Sequence, residues 1–157
     1  MTQLVFRDDA YGRSCVARIV AVHRIDAAVA VELDATVFYP MSGGQAGDTG
    51  VLRSAGGAPL RVIDTRKGEG SDSVLHLLAP DAEPPALGTP VTAELDWERR
   101  HRHMRMHTCM HLLCAVVAAP VTGGRIAEDK SHLDFDVDMG KLDRESIEKR
   151  LNALIEG

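Results

Sequence analysis

His107 and His111 stand four residues apart in the run Arg-His-Arg-His-Met-Arg-Met-His-Thr-Cys-Met-His-Leu-Leu, residues 100–113. On a helix that spacing is about one turn, so both imidazoles leave the same face close enough to share a metal ion. Zinc takes three protein ligands plus water in a catalytic site and four in a structural one, so the pair alone is an incomplete donor set. The zinc-protease form of this motif needs a glutamate directly after the first histidine as general base. Thr108 stands there instead, which argues against a protease of that class. His103 and Cys114 fall near the same helical stripe, but His107 and Cys114 would lie roughly 10 Å apart along the axis. Zinc bonds of about 2.0–2.3 Å cannot span that gap, so further donors must come from another element. Cys15, His23, His76, His101 and His132 are the remaining candidates, and they form no ligand-like pair.

A second segment with chemical potential is Phe38-Tyr39-Pro40-Met41-Ser42-Gly43-Gly44-Gln45-Ala46-Gly47-Asp48-Thr49-Gly50. Gly43 and Gly44 permit backbone torsions closed to other residues and let main-chain N–H groups approach a ligand. Gln45 is expected to place a neutral donor and acceptor at the tip, suited to orienting a water or holding a ribose or carbonyl group. Taken alone, the segment also reads as an ordinary glycine-rich turn between strands.

The elements that must position these residues change character at Asp96. Before it, short β-rich runs at 16–23, 28–33, 36–39, 51–53, 60–65, 74–78 and 91–95 alternate with turn residues. Arg24–Ala27 is expected to connect the first two runs. Gly56-Gly57, Gly68–Gly70 and Pro84-Pro85 mark later breaks. Strands at this spacing without helices between them predict a small barrel or sandwich over residues 1–95. Asp96 is a good helix N-cap, and 97–119 has helical composition up to Pro120. Gly123-Gly124 then predicts a turn, Ser131–Val137 a strand, and Asp143–Ile155 a second helix in which Ile147, Leu151 and Leu154 recur at helical spacing. The fold class is therefore α+β, with 96–157 forming a second, helix-containing domain.

Composition sets outer limits. The chain has 157 residues, 45% apolar and only 4% aromatic, so its core must rest on Val, Leu, Ile and Ala. The longest apolar stretch, 112–121, is too short to span a bilayer, and no signal segment opens the chain. Three cysteines at uninformative spacing fit a reducing, cytoplasmic setting better than a disulfide framework. A net charge of −5 disfavours indiscriminate nucleic-acid binding, yet Arg99, Arg100, Arg102 and Arg105 form a local basic cluster suited to phosphates.

Together, Phe-Tyr-Pro-x-x-Gly-Gly-Gln-x-x-Asp-x-Gly and Arg-x-His-Thr-x-x-His-Leu-Leu resemble the AlaX family, relatives of the editing domain of alanyl-tRNA synthetase. Asp96-Trp97 upstream and Ile147 to Ile155 downstream extend the resemblance along nearly the whole chain. It implies an N-terminal β-barrel followed by an α+β editing domain. It also implies trans-editing: hydrolysis of the ester joining serine, and perhaps glycine, to the tRNA of the alanine acceptor. By matching positions it makes His107 and His111 zinc ligands and puts Gln45 and Thr108 among the catalytic groups. Gly43, Gly44, Arg105 and Thr122 would bind substrate, Thr122 as a selector for the serine hydroxyl. A site that hydrogen-bonds a hydroxyl rejects the analogue lacking it far better than an apolar pocket does. The family's other two zinc ligands come from a downstream Cys-x-x-x-His, which these residues do not contain. The editing domain is thus expected to be incomplete at its C-terminus, and zinc to be held weakly. A non-catalytic tRNA-binding module and a metal-dependent hydrolase of another ester or amide stand as the alternatives.

Overall fold

A computed structural model describes residues 2–25, 28–83 and 86–156. The expected connection at Asp26-Ala27 and the break at Pro84-Pro85 lie outside the described residues. The chain divides into two compact units, Met1–Arg100 and His101–Gly157.

The first unit opens with a short strand, β1 (Gln3–Leu4), and one helical turn, α1 (Val5–Asp8). Then come β2 (Ser14–Ile25), β3 (Ala28–Leu33), β4 (Ala35–Thr36), β5 (Gly50–Arg53), β6 (Leu60–Lys67), β7 (Val74–Leu78) and β8 (Pro90–Leu95). Six of these strands close into an antiparallel barrel in the order β2-β3-β7-β6-β5-β8, with β8 pairing back onto β2. Closure leaves no open sheet edge among them. The period-2 pattern is clearest in β2, where Ala17 and Ile19 point inward and Val16, Arg18 and Val20 point out. With Val31, Leu33, Leu52, Val62, Leu78, Val91 and Ala93 they fill an almost wholly aliphatic core around Phe38.

Two expectations are corrected in this unit. The strand expected at 36–39 is only Ala35–Thr36, paired in parallel with Gln3–Leu4. Residues 37–40 run outside any ladder because the Phe38 and Tyr39 N–H groups bond to side chains, Thr36 Oγ1 at 3.0 Å and Asp48 Oδ2 at 2.7 Å. The run expected at 16–23 extends over Ser14–Ile25, with a register shift between Ile19 and Ala21.

Helix α2 spans Trp97–Val116. Asp96 caps it as expected, its Oδ1 accepting the Arg99 N–H at 3.1 Å and its carbonyl the Arg100 N–H at 3.0 Å. The helix ends three residues short of Ala119. Pro120 disfavours helical torsions at the residue before it, and the Ala119 N–H bonds instead to the Val117 carbonyl. The compact units part inside α2, five residues past the strand-to-helix change at Asp96. Its first turn is tied to the barrel: the Asp96 N–H reaches the Thr49 carbonyl at 2.8 Å, and the Arg13 guanidinium lies 4.8 Å over the Trp97 ring.

The second unit holds the rest of α2, then β9 (Val121–Arg125), β10 (His132–Phe135) and α3 (Arg144–Glu156), with a 3-10 turn at Met139–Lys141. Gly123 and Gly124 do not turn the chain; they lie within β9, opposite Asp134 and Leu133 of β10. A side chain at Gly124 would meet Leu133 Cδ2 at 2.7 Å and the His132 carbonyl at 3.0 Å, so close approach rather than a turn requires glycine there. The strand expected at 131–137 is shortened to His132–Phe135. Asp143 caps α3, accepting the Glu145 N–H at 3.1 Å.

Candidate functional site

The glycine-rich segment is organised by a tight turn. Ser42 and Gln45 exchange main-chain hydrogen bonds at 3.1 and 3.0 Å around Gly43 (φ 56°) and Gly44 (φ 77°). Positive φ at both central residues marks a type I′ turn, which glycine enters without steric cost. The two glycines are exposed, so a ligand at the tip meets main chain. Gln45 is not at that tip. It is buried, 4% exposed.

Beyond the turn the segment is fastened to the barrel wall. A Cβ at Gly47 would fall 2.0 Å from the Thr65 carbonyl, so only glycine lets the two backbones touch. Asp48 is fully buried. Its Oδ2 accepts the Tyr39 N–H at 2.7 Å and an N–H from Arg100 Nη1, and its carbonyl accepts the Thr65 hydroxyl at 2.8 Å. Burial pushes the Asp48 carboxyl above its ordinary range, against the opposing pull of Arg100. Arg99 Nη1 donates to the Gly47 carbonyl at 2.7 Å.

These contacts change the reading of the basic cluster. Arg99 and Arg100 are committed to the barrel wall. Arg102 lies 3.7 Å from Glu128 in an exposed pair, an arrangement that contributes little. Arg105 is exposed and remains suited to a phosphate.

His76, which the sequence offers only as a spare ligand, proves to be an anchor of the same segment. It is fully buried, its ring edge-on to Phe38 at 5.2 Å. Nδ1 lies 3.0 Å from the Val31 carbonyl and Nε2 lies 2.8 Å from Thr36 Oγ1. A carbonyl only accepts, so Nδ1 carries the proton, and Nε2 accepts from the Thr36 hydroxyl. That hydroxyl oxygen in turn accepts the Phe38 N–H. Burial drives the His76 pKa down from 6.5 to about 4, which keeps the ring neutral. The alternation Val74-x-His76-x-Leu78 is the sequence signal that places His76 inside the barrel.

In the second unit the histidine pair does come together. The His107 and His111 rings stack at 5.0 Å between centroids with planes 14° apart. Partial burial and the neighbouring His111 both push the His107 pKa down, favouring the neutral imidazole that binds metals. Imidazole lone pairs lie in the ring plane, so two nearly parallel rings do not aim at one point until one of them rotates. Among the described residues no group of three or more His, Cys, Asp or Glu is placed to hold a metal ion. The residues present thus supply two imidazoles and do not complete a zinc site. Thr108 is exposed and its hydroxyl turns back to the Met104 carbonyl at 3.1 Å. Thr122 is exposed on β9, its hydroxyl donating to the Asp134 carbonyl at 3.3 Å. Gln45, Gly43 and Gly44 belong to the first unit; His107, Thr108, His111, Arg105 and Thr122 belong to the second.

Comparison with known proteins follows the same layout. The family of tRNA synthetases class II (A) matches residues 15–99, the barrel and the start of α2. The alanyl-tRNA editing protein AlaX-M of Methanosarcina mazei is 36% identical over 99% of this chain and 64% of its own length. The AlaX-M of Methanosarcina barkeri is 37% identical over 99% of this chain and 65% of its own. The alanine–tRNA ligase of Sulfurisphaera tokodaii is 39% identical over 71% of this chain but only 12% of its own length. The chain belongs to the family of tRNA synthetases class II (A), and over 99% of its length it is similar to AlaX-M proteins. It spans about two thirds of the length of the AlaX-M relatives it matches. Among the described residues no helix is long and apolar enough to cross a membrane.

Proposed function

We propose that this chain belongs to a trans-editing hydrolase that deacylates tRNA of the alanine acceptor mischarged with serine or glycine. One observation carries the reading: both motifs lie in a chain similar, over nearly its whole length, to proteins named for alanyl-tRNA editing. Arg99 and Arg100, at the start of the helix that bears His107 and His111, bond to Gly47 and Asp48 of the glycine-rich segment.

In this reading the Gly43-Gly44 main chain receives the aminoacyl end, and glycine leaves nothing to obstruct it. Gln45, buried beside the turn, orients a water or the substrate carbonyl with its carboxamide. The Thr108 hydroxyl exchanges its bond to the Met104 carbonyl for one to substrate. Thr122 recognises the serine hydroxyl, and Arg105 meets a phosphate of the acceptor end. Zinc, when bound, would polarise the ester or activate water. His107 and His111 provide two donors toward it and no more, so no step is assigned through the metal, and zinc held by these residues alone is expected to be weak. The setting proposed is the cytoplasm.

The deciding assay follows release of amino acid from seryl-, glycyl- and alanyl-tRNA of the alanine acceptor. Faster loss of serine than alanine is expected, and equal rates would refute the specificity. A second reading, a non-catalytic tRNA-binding module, is favoured by the incomplete donor set. It predicts tRNA binding with no deacylation of any ester.

A further inference from the structure

We propose that Asp48 and Arg100 form a positioning pair: they fix the first turn of α2, and its helical register there, to the glycine-rich segment. The pair is almost completely buried, with side-chain exposures of 0% and 5%. Burying two charges costs desolvation that their attraction often fails to exceed, and apolar replacements are frequently as stable. Stability alone is therefore a poor reason for this pair to sit in the barrel wall, whereas orientation is a good one.

The geometry is that of a register pin. Asp48 is held on both sides of its Cα: its N–H bonds to the Tyr39 carbonyl at 3.0 Å and its carbonyl accepts from Thr65. Its Oδ2 takes the Tyr39 N–H and the Arg100 Nη1–H, while the Arg100 guanidinium lies 5.3 Å over the Tyr39 ring. Asp48 Oδ1 and Arg100 Nε have no hydrogen-bond partner among the described residues, so Asp48 Oδ2 and Arg100 Nη1 carry the contact between the two side chains. Sliding the helix by one residue would rotate it about 100° and advance it about 1.5 Å, removing that contact altogether. Arg99 to Gly47 is a second tie beside it, so successive helix residues bind successive residues of the segment. His107 and His111 follow about two and three turns further along the same helix.

Four variants of the chain test this: R100K, R100Q, R100M and D48N/R100M. Amide hydrogen exchange along α2 and residues 39–48 is the primary readout, with melting temperature alongside. R100M strands a buried carboxylate and should melt lower; D48N/R100M removes both charges and should regain most of that loss. Exchange at the start of α2 should nonetheless be faster in the double variant, on the order of tenfold. Wild-type exchange in a double variant of wild-type melting temperature would overturn the proposal. Should the double variant not fold, R100K and R100Q make the same comparison. The lysine keeps a charged donor group and should hold protection near wild type, the glutamine should lose it, and identical behaviour overturns the proposal. A kinetic arm, resting on the editing reading, expects kcat on the seryl ester to fall in the double variant with KM unchanged. A wild-type protein that deacylates nothing would defeat the editing reading, and the exchange comparison would still decide the pin.

Discussion

Acidification should destabilise this barrel through His76. In the folded chain the ring is neutral, its Nδ1–H given to Val31 and its Nε2 lone pair taken by the Thr36 hydroxyl. Protonation at Nε2 would set two donors against each other in a buried site. The folded pKa is about 4 against an ordinary 6.5. Between those values the unfolded chain binds a proton that the folded chain refuses, so stability rises with pH. The contribution is fully present above pH 6.5 and is lost as pH falls through about 4. The gap is 2.5 pH units, and at about 1.4 kcal/mol each the total is about 3 kcal/mol. That is a large share of a typical domain's 5–15 kcal/mol or so. Urea denaturation at a series of pH values, on wild type and His76→Asn, measures it. The variant should start lower by about 1–3 kcal/mol, since the Thr36 hydroxyl loses its acceptor. Its pH slope across the window should be shallower than wild type by about 1 kcal/mol per unit. Equal slopes in the two proteins would refute the buried neutral histidine.

Three further outcomes are expected. Gly47→Ala forces a Cβ against the Thr65 carbonyl and should cost roughly 3 kcal/mol or more, whereas Gly56→Ala, with open space around it, should cost about 1 kcal/mol from its positive φ alone; similar urea midpoints would contradict the packing argument. Asp96→Ala removes the α2 cap and should cost about 1 kcal/mol of thermal stability, and an unchanged melting temperature would show that the cap is dispensable. After dialysis, zinc should remain well below one per chain, with His107→Ala and His111→Ala melting like wild type; stoichiometric zinc lost in either variant would mean that the donor set is larger than two.

How far the sequence could be read depends on whether a residue's role was local. β3, β5, β7 and β8 fall close to the runs marked by alternation and turn residues, because a half-buried strand writes its own period. The cap at Asp96 and the stacked histidines are equally local, set by spacings within one helix. What was hidden depends on partners far along the chain. Gly123-Gly124 reads as a turn until the pairing with Leu133 and Asp134 is known. Arg99 and Arg100 look like surface cations until Gly47 and Asp48, more than fifty residues earlier, are placed against them. Gln45 reads as a tip residue because the turn's direction is not written in the triplet. The short strand and helical turn at Gln3–Asp8 carry no periodic signal, being too brief to show one.

The parting of the units at Arg100 has a practical consequence for anyone dissecting this protein. A barrel cut at Leu95, where the strands end, would keep the Asp48 carboxylate in its apolar wall and discard the guanidinium that faces it. Such a fragment would have to neutralise the acid or let water in, and it should be less stable than one that keeps Arg100. Extending the fragment by five residues restores the counter-ion. The portable piece is thus a barrel with a helical spur, and its natural seam runs just past the first turn of a helix.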